Sequence, residues 1–70
     1  MKVSARNALP GTISRIKTGD VNAEVTLEIA PGLNIVSIIT VNAVKSLRLK
    51  KGKIAYAVIK ASSVIVGVDD

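Results

Sequence analysis

The hydrophobic pattern is clearest from Val21 to Ile29. Val21, Ala23, Val25, Leu27 and Ile29 alternate with Asn22, Glu24, Thr26 and Glu28. A period of two predicts a strand with one apolar and one polar face. Before it, Leu9 to Lys17 reads as another strand, with Leu9, Gly11 and Ile13 on one face; the alternation then slips between Arg15 and Ile16. A slip of one residue predicts a bulge or sharp bend. Thr18-Gly19-Asp20 and Ala30-Pro31-Gly32 are turns, the second with Pro presetting φ and Gly following it. Leu33 to Thr40 differs: Leu33, Ile35 and Ile39 share one face, and Val36 and Ile38 the other. A strand apolar on both sides requires cover on both, so one face is read as a subunit interface. Val41 to Leu47 is a short helix, capped by Thr40 or Asn42. Lys50-Lys51-Gly52-Lys53 is a basic turn. Ile54 to Lys60 is a fourth strand, with Ala55 and Ala57 on one face and Ile54, Tyr56 and Val58 on the other. Val64, Val66 and Val68 align as a fifth, and Asp69-Asp70 forms a solvated tail.

Three strands, a short helix and two strands predict an all-β fold, a five-stranded, partly open barrel of the oligonucleotide/oligosaccharide-binding (OB) type with its helix between strands 3 and 4. The 70 residues make a single domain, 1–70, without repeats or linkers. So short a chain buries only roughly 60% of its unfolded surface, yet 49% of it is hydrophobic. Oligomerisation supplies the missing burial.

Composition removes most chemistries. The chain has no cysteine and no histidine. Disulfides, thiolate metal sites and Ser-His catalysis are therefore excluded, and no direct metal site is expected. Glu24 and Glu28 share the polar face of one strand, where carboxylates serve solubility more often than acid–base catalysis. No phosphate-binding glycine loop is present. An enzyme is not expected. No apolar run reaches the ~20 residues of a membrane span, and the start Met1-Lys2-Val3-Ser4 lacks a signal peptide's apolar segment. The expectation is a soluble cytoplasmic protein without a membrane partner.

The formal charge of +5 favours anionic partners. Polar chemistry gathers in two stretches. Ser4-Ala5-Arg6-Asn7 sets a hydroxyl, a guanidinium and an amide side by side, and Lys60-Ala61-Ser62-Ser63 repeats a cation followed by hydroxyls. A guanidinium fork with short O–H and N–H donors suits a tetrahedral oxyanion. The first and last strands of a barrel are often neighbours, so both stretches are read as one anion site. The bland reading is that Ser4 and Asn7 satisfy a turn while Arg6 and Lys60 are solvated charges. A rival function is nucleic-acid binding by an OB-type module through the Lys45, Arg48, Lys50, Lys51 and Lys53 patch. Against it, single-strand binders of this fold stack bases on several aromatics, and Tyr56 is the one aromatic here.

Ser4-Ala5-Arg6-Asn7, Gly11, Asn22-Ala23-Glu24-Val25, Ile39-Thr40, Leu47, Leu49, Gly52 and Ile59-Lys60-Ala61-Ser62 occur in order over nearly the whole chain. Together they resemble the molbindin, or Mop, family of small molybdenum-pterin-binding proteins, whose domain also occurs in molybdate-responsive regulators and transport ATPases. The resemblance implies an OB-like Mop/TOBE-type domain assembled into a hexamer, a trimer of dimers. It implies molybdate or tungstate bound at subunit interfaces, with storage and homeostasis of molybdenum in the cytoplasm and no catalytic cofactor. The family's Ser-x-Arg and Lys-Ala-Ser motifs carry over to Ser4, Ala5, Arg6, Asn7, Lys60, Ala61 and Ser62, with Thr40 matched as well. Three residues on, many relatives have serine where this chain has Ala43, which removes one hydroxyl donor. A further site near the threefold axis is assigned to the turn Gly19, Asp20, Val21 and Asn22. The family's older name suggests a pterin ligand; Tyr56 is the one side chain that could stack on it.

Overall fold

The computed structural model describes residues 1–69; Asp70 of the expected tail lies outside the described residues. Strands β1 (Asn7–Thr18), β2 (Asn22–Ala30) and β3 (Leu33–Thr40) lead into helix α1 (Val41–Ser46), then β4 (Ile54–Ile59) and a 3₁₀ turn at Ala61–Ser63. The sheet is antiparallel throughout, in the order β3-β2-β1-β4.

The slip in the first strand is a register shift between Ile13 and Arg15 in the β1–β2 ladder. The extra residue is Ser14, whose hydroxyl donates to the Thr26 carbonyl at 3.4 Å. Because of it, Ile13 and Ile16 both turn toward the core, three positions apart instead of two. Bulged strands bend and twist more strongly. β1 uses the bend to serve two partners: Asn7 to Thr12 pair with β4, and Thr12 to Thr18 pair with β2. The sheet curls until its two edge strands, β3 and β4, line one cavity. At the crossing, Gly11 is buried between neighbours, and a Cβ there would lie 2.8 Å from Ile29 Cδ1 and 2.9 Å from the Glu28 carbonyl oxygen.

The core is Ile13, Val25, Leu27 and Ala57, all buried, with Ile16, Ile29, Ile35, Ile39, Val44, Leu49 and Ala55 packed against it. In β4 the alanine face turns inward; Ile54, Tyr56 and Val58 stay exposed. In β3, Val36 and Ile38 on the outer side are 54% and 64% exposed. The expected two-sided apolar character is therefore present, and one side has no cover from this chain. Each large aliphatic side chain is worth about 1.5–3 kcal/mol when fully buried, so this exposure leaves much potential stabilisation unused.

Helix α1 is short and heavily capped. Thr40 Oγ1 accepts from the Ala43 N–H at 3.0 Å. At the other end Leu49 N–H donates to the Val44 carbonyl and Arg48 N–H to the Lys45 carbonyl, each at 3.0 Å. That pair of bonds is a Schellman motif, and it places Arg48 in the left-handed region at φ 53. The motif turns Leu49 back onto the core beside Val44.

One expectation fails. The sheet has four strands, not five: residues 64–69 form no strand or helix, and Ile65, Val66 and Val68 are 93%, 85% and 84% exposed. The alternation of Val64, Val66 and Val68 does suit a strand, but a strand needs a neighbour. The Ala61–Ser63 turn, closed by Ser63 N–H to the Lys60 carbonyl at 2.9 Å, carries the chain away from its own β4. The fold among the described residues is an OB-like barrel left open between β3 and β4.

Candidate functional site

The β1–β4 ladder decides where the two polar stretches lie. Its terminal pair is Asn7 with Ile59, fastened by Asn7 Nδ2 donating to the Ile59 carbonyl at 3.3 Å. These two residues, 52 apart in sequence, close the ladder, and Arg6 and Lys60 directly flank them, outside the paired positions. Ser4 precedes Arg6 by two residues, and Ser62 follows Lys60 inside the 3₁₀ turn. The first N–H groups of any helical turn lack an intrahelical acceptor; here they belong to Ala61 and Ser62. Guanidinium, ammonium, two hydroxyls and these N–H groups all donate, so the end of the ladder is a collection of donors.

The electrostatics favour an anion. Neither β1 nor β4 contains an acidic residue, and the segments extending from them at this end add Lys2, Arg6 and Lys60. Ser4, Arg6, Lys60, Ala61 and Ser62 are exposed; Ala5 and Asn7 are half-buried. An exposed donor set holds a small ion weakly, because water competes for each bond and screens each charge. Within one chain, the cluster is open to solvent.

Thr40 is not with them. It pairs with Asn22, just past the Thr18–Ala23 pair at the far end of β1. A strand of 12 residues spans on the order of 35–40 Å when straight, and even the bend at Ser14 leaves Thr40 beyond reach of an ion held at Arg6. Thr40 instead joins Asp20, Val21, Val41, Asn42 and Lys45 around a cleft of about 340 Å³. The Gly19–Asn22 turn is tight, with Gly19 N–H donating to the Asn22 carbonyl at 2.8 Å. The helix start is tied to it by Val41 N–H donating to the Val21 carbonyl at 2.8 Å. This chain therefore groups Thr40 with the second candidate site. Ala43 lends its N–H to the Thr40 cap.

The basic patch is partly structural. Lys53 Nζ donates to the Leu47 and Arg48 carbonyls at 3.0 and 3.2 Å, a cation closing the C-terminal end of α1. Lys53, expected only as part of a basic turn, is thus tied to the helix end. The signal was available: a lysine just past Gly52, shortly after the helix ends. No helix among the described residues is long and apolar enough to cross a membrane, and the described residues contain no cluster of metal-ligating side chains.

A model of the TOBE domain family matches residues 3–66. The protein is 51% identical over 69 residues to a probable molybdenum-pterin-binding protein of Haemophilus influenzae, with 99% of this chain and 100% of that protein covered. The chain belongs to the Mop/TOBE family. Solved structures agree with this family assignment. MopII from Clostridium pasteurianum, in an apo form, superposes with a TM-score of 0.89 at 43% identity, covering 96% of this chain and 100% of MopII. The cytoplasmic molybdate-binding protein ModG, with molybdate bound, superposes at 0.92 with 55% identity, covering 99% of this chain and 49% of ModG. This Mop/TOBE domain thus spans about half of ModG.

Proposed function

We propose that the protein is a non-enzymatic molybdate-binding protein, with tungstate as a close mimic, serving molybdenum storage and homeostasis in the cytoplasm. The observation that supports this reading is the β1–β4 register, which closes on Asn7 with Ile59 and so leaves Arg6 and Lys60 next to one terminal pair, with Ser4 and Ser62 two residues further along the chain. Similarity to molybdate-bound ModG supports the choice of ion. Arg6 supplies a planar fork, Lys60 a second charge, Ser4 and Ser62 hydroxyl donors, and the backbone around Ala5, Asn7 and Ala61 further N–H groups.

The site is completed between copies of the chain, in a homo-oligomer proposed to be a hexamer built as a trimer of dimers. A second copy would cover the exposed cluster and remove the water that weakens it. It would also resolve the position of Thr40: a site using Thr40 with Arg6 and Lys60 takes them from different copies. Thr40 keeps its O–H proton for a ligand while its oxygen caps the helix. The turn Gly19, Asp20, Val21 and Asn22, with the cleft that Asp20 and Val21 line beside it, is proposed as a second, separate anion position. Its Asp20 carboxylate opposes an anion and Lys45 favours one, so its affinity should be the lower.

The test is calorimetric titration with molybdate, tungstate, sulfate, phosphate and a single-stranded oligonucleotide. Molybdate and tungstate should bind far more tightly than sulfate. Sulfate carries the same charge, so discrimination must come from cavity size and donor spacing. Equal affinity for all the dianions would reject a built molybdate site, and binding of the oligonucleotide alone would favour the nucleic-acid module.

A further inference from the structure

The two donor stretches leave the β1–β4 ladder at the same end, and little else ties them together. Residues 1–6 form no strand or helix. Past Ile59, the hydrogen bonds of the 3₁₀ turn stay inside it: Ser63 N–H donates to the Lys60 carbonyl at 2.9 Å and Val64 N–H to the Ala61 carbonyl at 3.3 Å. Lys60 enters the turn at φ −62 and ψ 134 and gives it no side-chain cap. Among the described residues, no hydrogen bond joins residues 1–6 to residues 60–63. The last link between the stretches is therefore the pair of Asn7 with Ile59. There a side chain adds a rung of its own. Asn7 Nδ2 donates to the Ile59 carbonyl at 3.3 Å, the one side-chain hydrogen bond between β1 and β4 among the described residues. Both residues are half-buried, while Arg6 and Lys60 beside them are exposed.

We propose that Asn7 is a positioning residue that sets the selectivity of the anion site: its side chain holds Ile59, and so fixes the spacing of Arg6 from Lys60, without touching the ion. This role rests on reading the cluster as a molybdate site and adds the device that tunes it. The end of a ladder is where local opening costs least. Each donor stretch begins one residue from the terminal pair, so an opened rung would release Arg6 and Lys60 together. A carboxamide carries two N–H donors and an acceptor oxygen. One N–H is committed to Ile59 before any ion arrives, and the oxygen repels an anion, so the group is poorly suited to be a ligand. It is well suited to a clamp. Molybdate and sulfate carry equal charge, so the site must choose by size. Donors held at a fixed spacing can make that choice, whereas loose donors adapt to either ion.

The test compares Asn7→Val, which keeps strand propensity and removes the donor, with Asn7→Gln, which keeps an amide on a longer arm. Asn7→Val should weaken molybdate binding by about threefold to tenfold, the cost of one hydrogen bond. Sulfate should lose less, so the molybdate-to-sulfate ratio narrows, and Asn7→Gln should recover part of both effects. In the ligand-free variant, ¹⁵N relaxation should show lower order at Lys60, Ala61 and Ser62 with Ile13, Val25 and Leu27 unchanged. Parental selectivity in Asn7→Val, or equal behaviour of the two variants, would overturn the proposal. So would unchanged order at residues 60–62, or a loosening spread through the core, which marks a merely structural role. A crystal structure of the parent with molybdate needs no variant to fold: the Asn7–Ile59 bond should persist, and Nδ2 within hydrogen-bond distance of the ion would make Asn7 a ligand instead. If the parent showed no preference for molybdate, the functional reading would fall, while the relaxation difference would still report whether Asn7 holds the turn.

Discussion

Gly11→Ala adds one methyl group at the point where β1 passes from β4 to β2. The added Cβ would meet Ile29 Cδ1 at 2.8 Å, Glu28 O at 2.9 Å and Glu28 C at 3.3 Å. The first contact is the end of a flexible side chain and is relieved by a rotamer change costing about 0.5–1.5 kcal/mol. The others are backbone, within the ladder where β2 is already shifted in register between Glu28 and Ala30. Relief there requires β2 to move away from β1 by a few tenths of an ångström, carrying Leu27 and the core with it. Overpacking of this kind costs about 1–3 kcal/mol. Alanine also restricts the unfolded chain, which returns about 0.4–1 kcal/mol. The steric effect wins, for a net loss of about 1–2 kcal/mol. In a domain this small that lowers the midpoint of thermal unfolding by roughly 4–16 °C. Circular dichroism melts of parent and variant at one fixed chain concentration measure it, since assembly makes the midpoint concentration-dependent. A variant that melts at or above the parent would refute the claim that this crossing has no room for a side chain.

Arg48→Gly should stabilise the chain by about 0.5–1 kcal/mol, read from the same melts, because it keeps both Schellman bonds and removes a side chain from φ 53. Lys53→Met should cost about 0.5–1.5 kcal/mol by removing the ammonium from the Leu47 and Arg48 carbonyls; no change in urea unfolding would show that the clamp contributes nothing. Arg6→Ala should weaken molybdate binding by thirtyfold or more, the equivalent of losing about 2–5 kcal/mol from a charge-assisted contact, while Arg6→Lys recovers part of it. Parental affinity in an Arg6→Ala protein of unchanged oligomeric state would remove Arg6 from the site. Reversing Lys50 and Lys51 to Glu should leave molybdate titrations within about threefold of the parent, as expected of solvated charges on a turn.

What the sequence revealed was whatever local physics controls. The alternation from Val21 to Ile29 predicts β2 to within one residue, because one face of that strand is buried and the other is not. Leu33 to Thr40 is β3 without correction. Even the Ser14 bulge was visible as a slip, although one residue off. The failures are long-range. Val64 to Val68 looks like a strand and lacks a partner within its own chain, and periodicity carries no information about which molecule supplies the neighbour. Nor could spacing show that Lys53 reaches back to the helix end, or that Thr40 and Arg6 stand at opposite ends of β1. The two polar stretches were expected to be neighbours from the closeness of first and last barrel strands, and the ladder pairs Asn7 with Ile59 beside them.

The separation of Thr40 from Arg6 and the exposure of the barrel seam lead to the same conclusion by independent routes. One is polar: donors proposed for a single ion sit at both ends of a long strand, and a ladder of backbone hydrogen bonds keeps them apart in one chain. The other is apolar: the core is small, exposed Tyr56 and Val58 border an apolar cavity, and Val36 and Ile38 are exposed as well. A monomer would have to tolerate both an uncovered charge cluster and an uncovered core. Association would relieve both together. On this reading anion binding and assembly are coupled. An ion that draws on donors from two chains stabilises the assembled state over the separated one by its binding free energy. Molybdate should therefore raise the melting midpoint of the protein and slow exchange of chains between oligomers. If chains exchanged as fast with molybdate as without it, the ion site would be complete within one chain and the coupling argued here would be wrong.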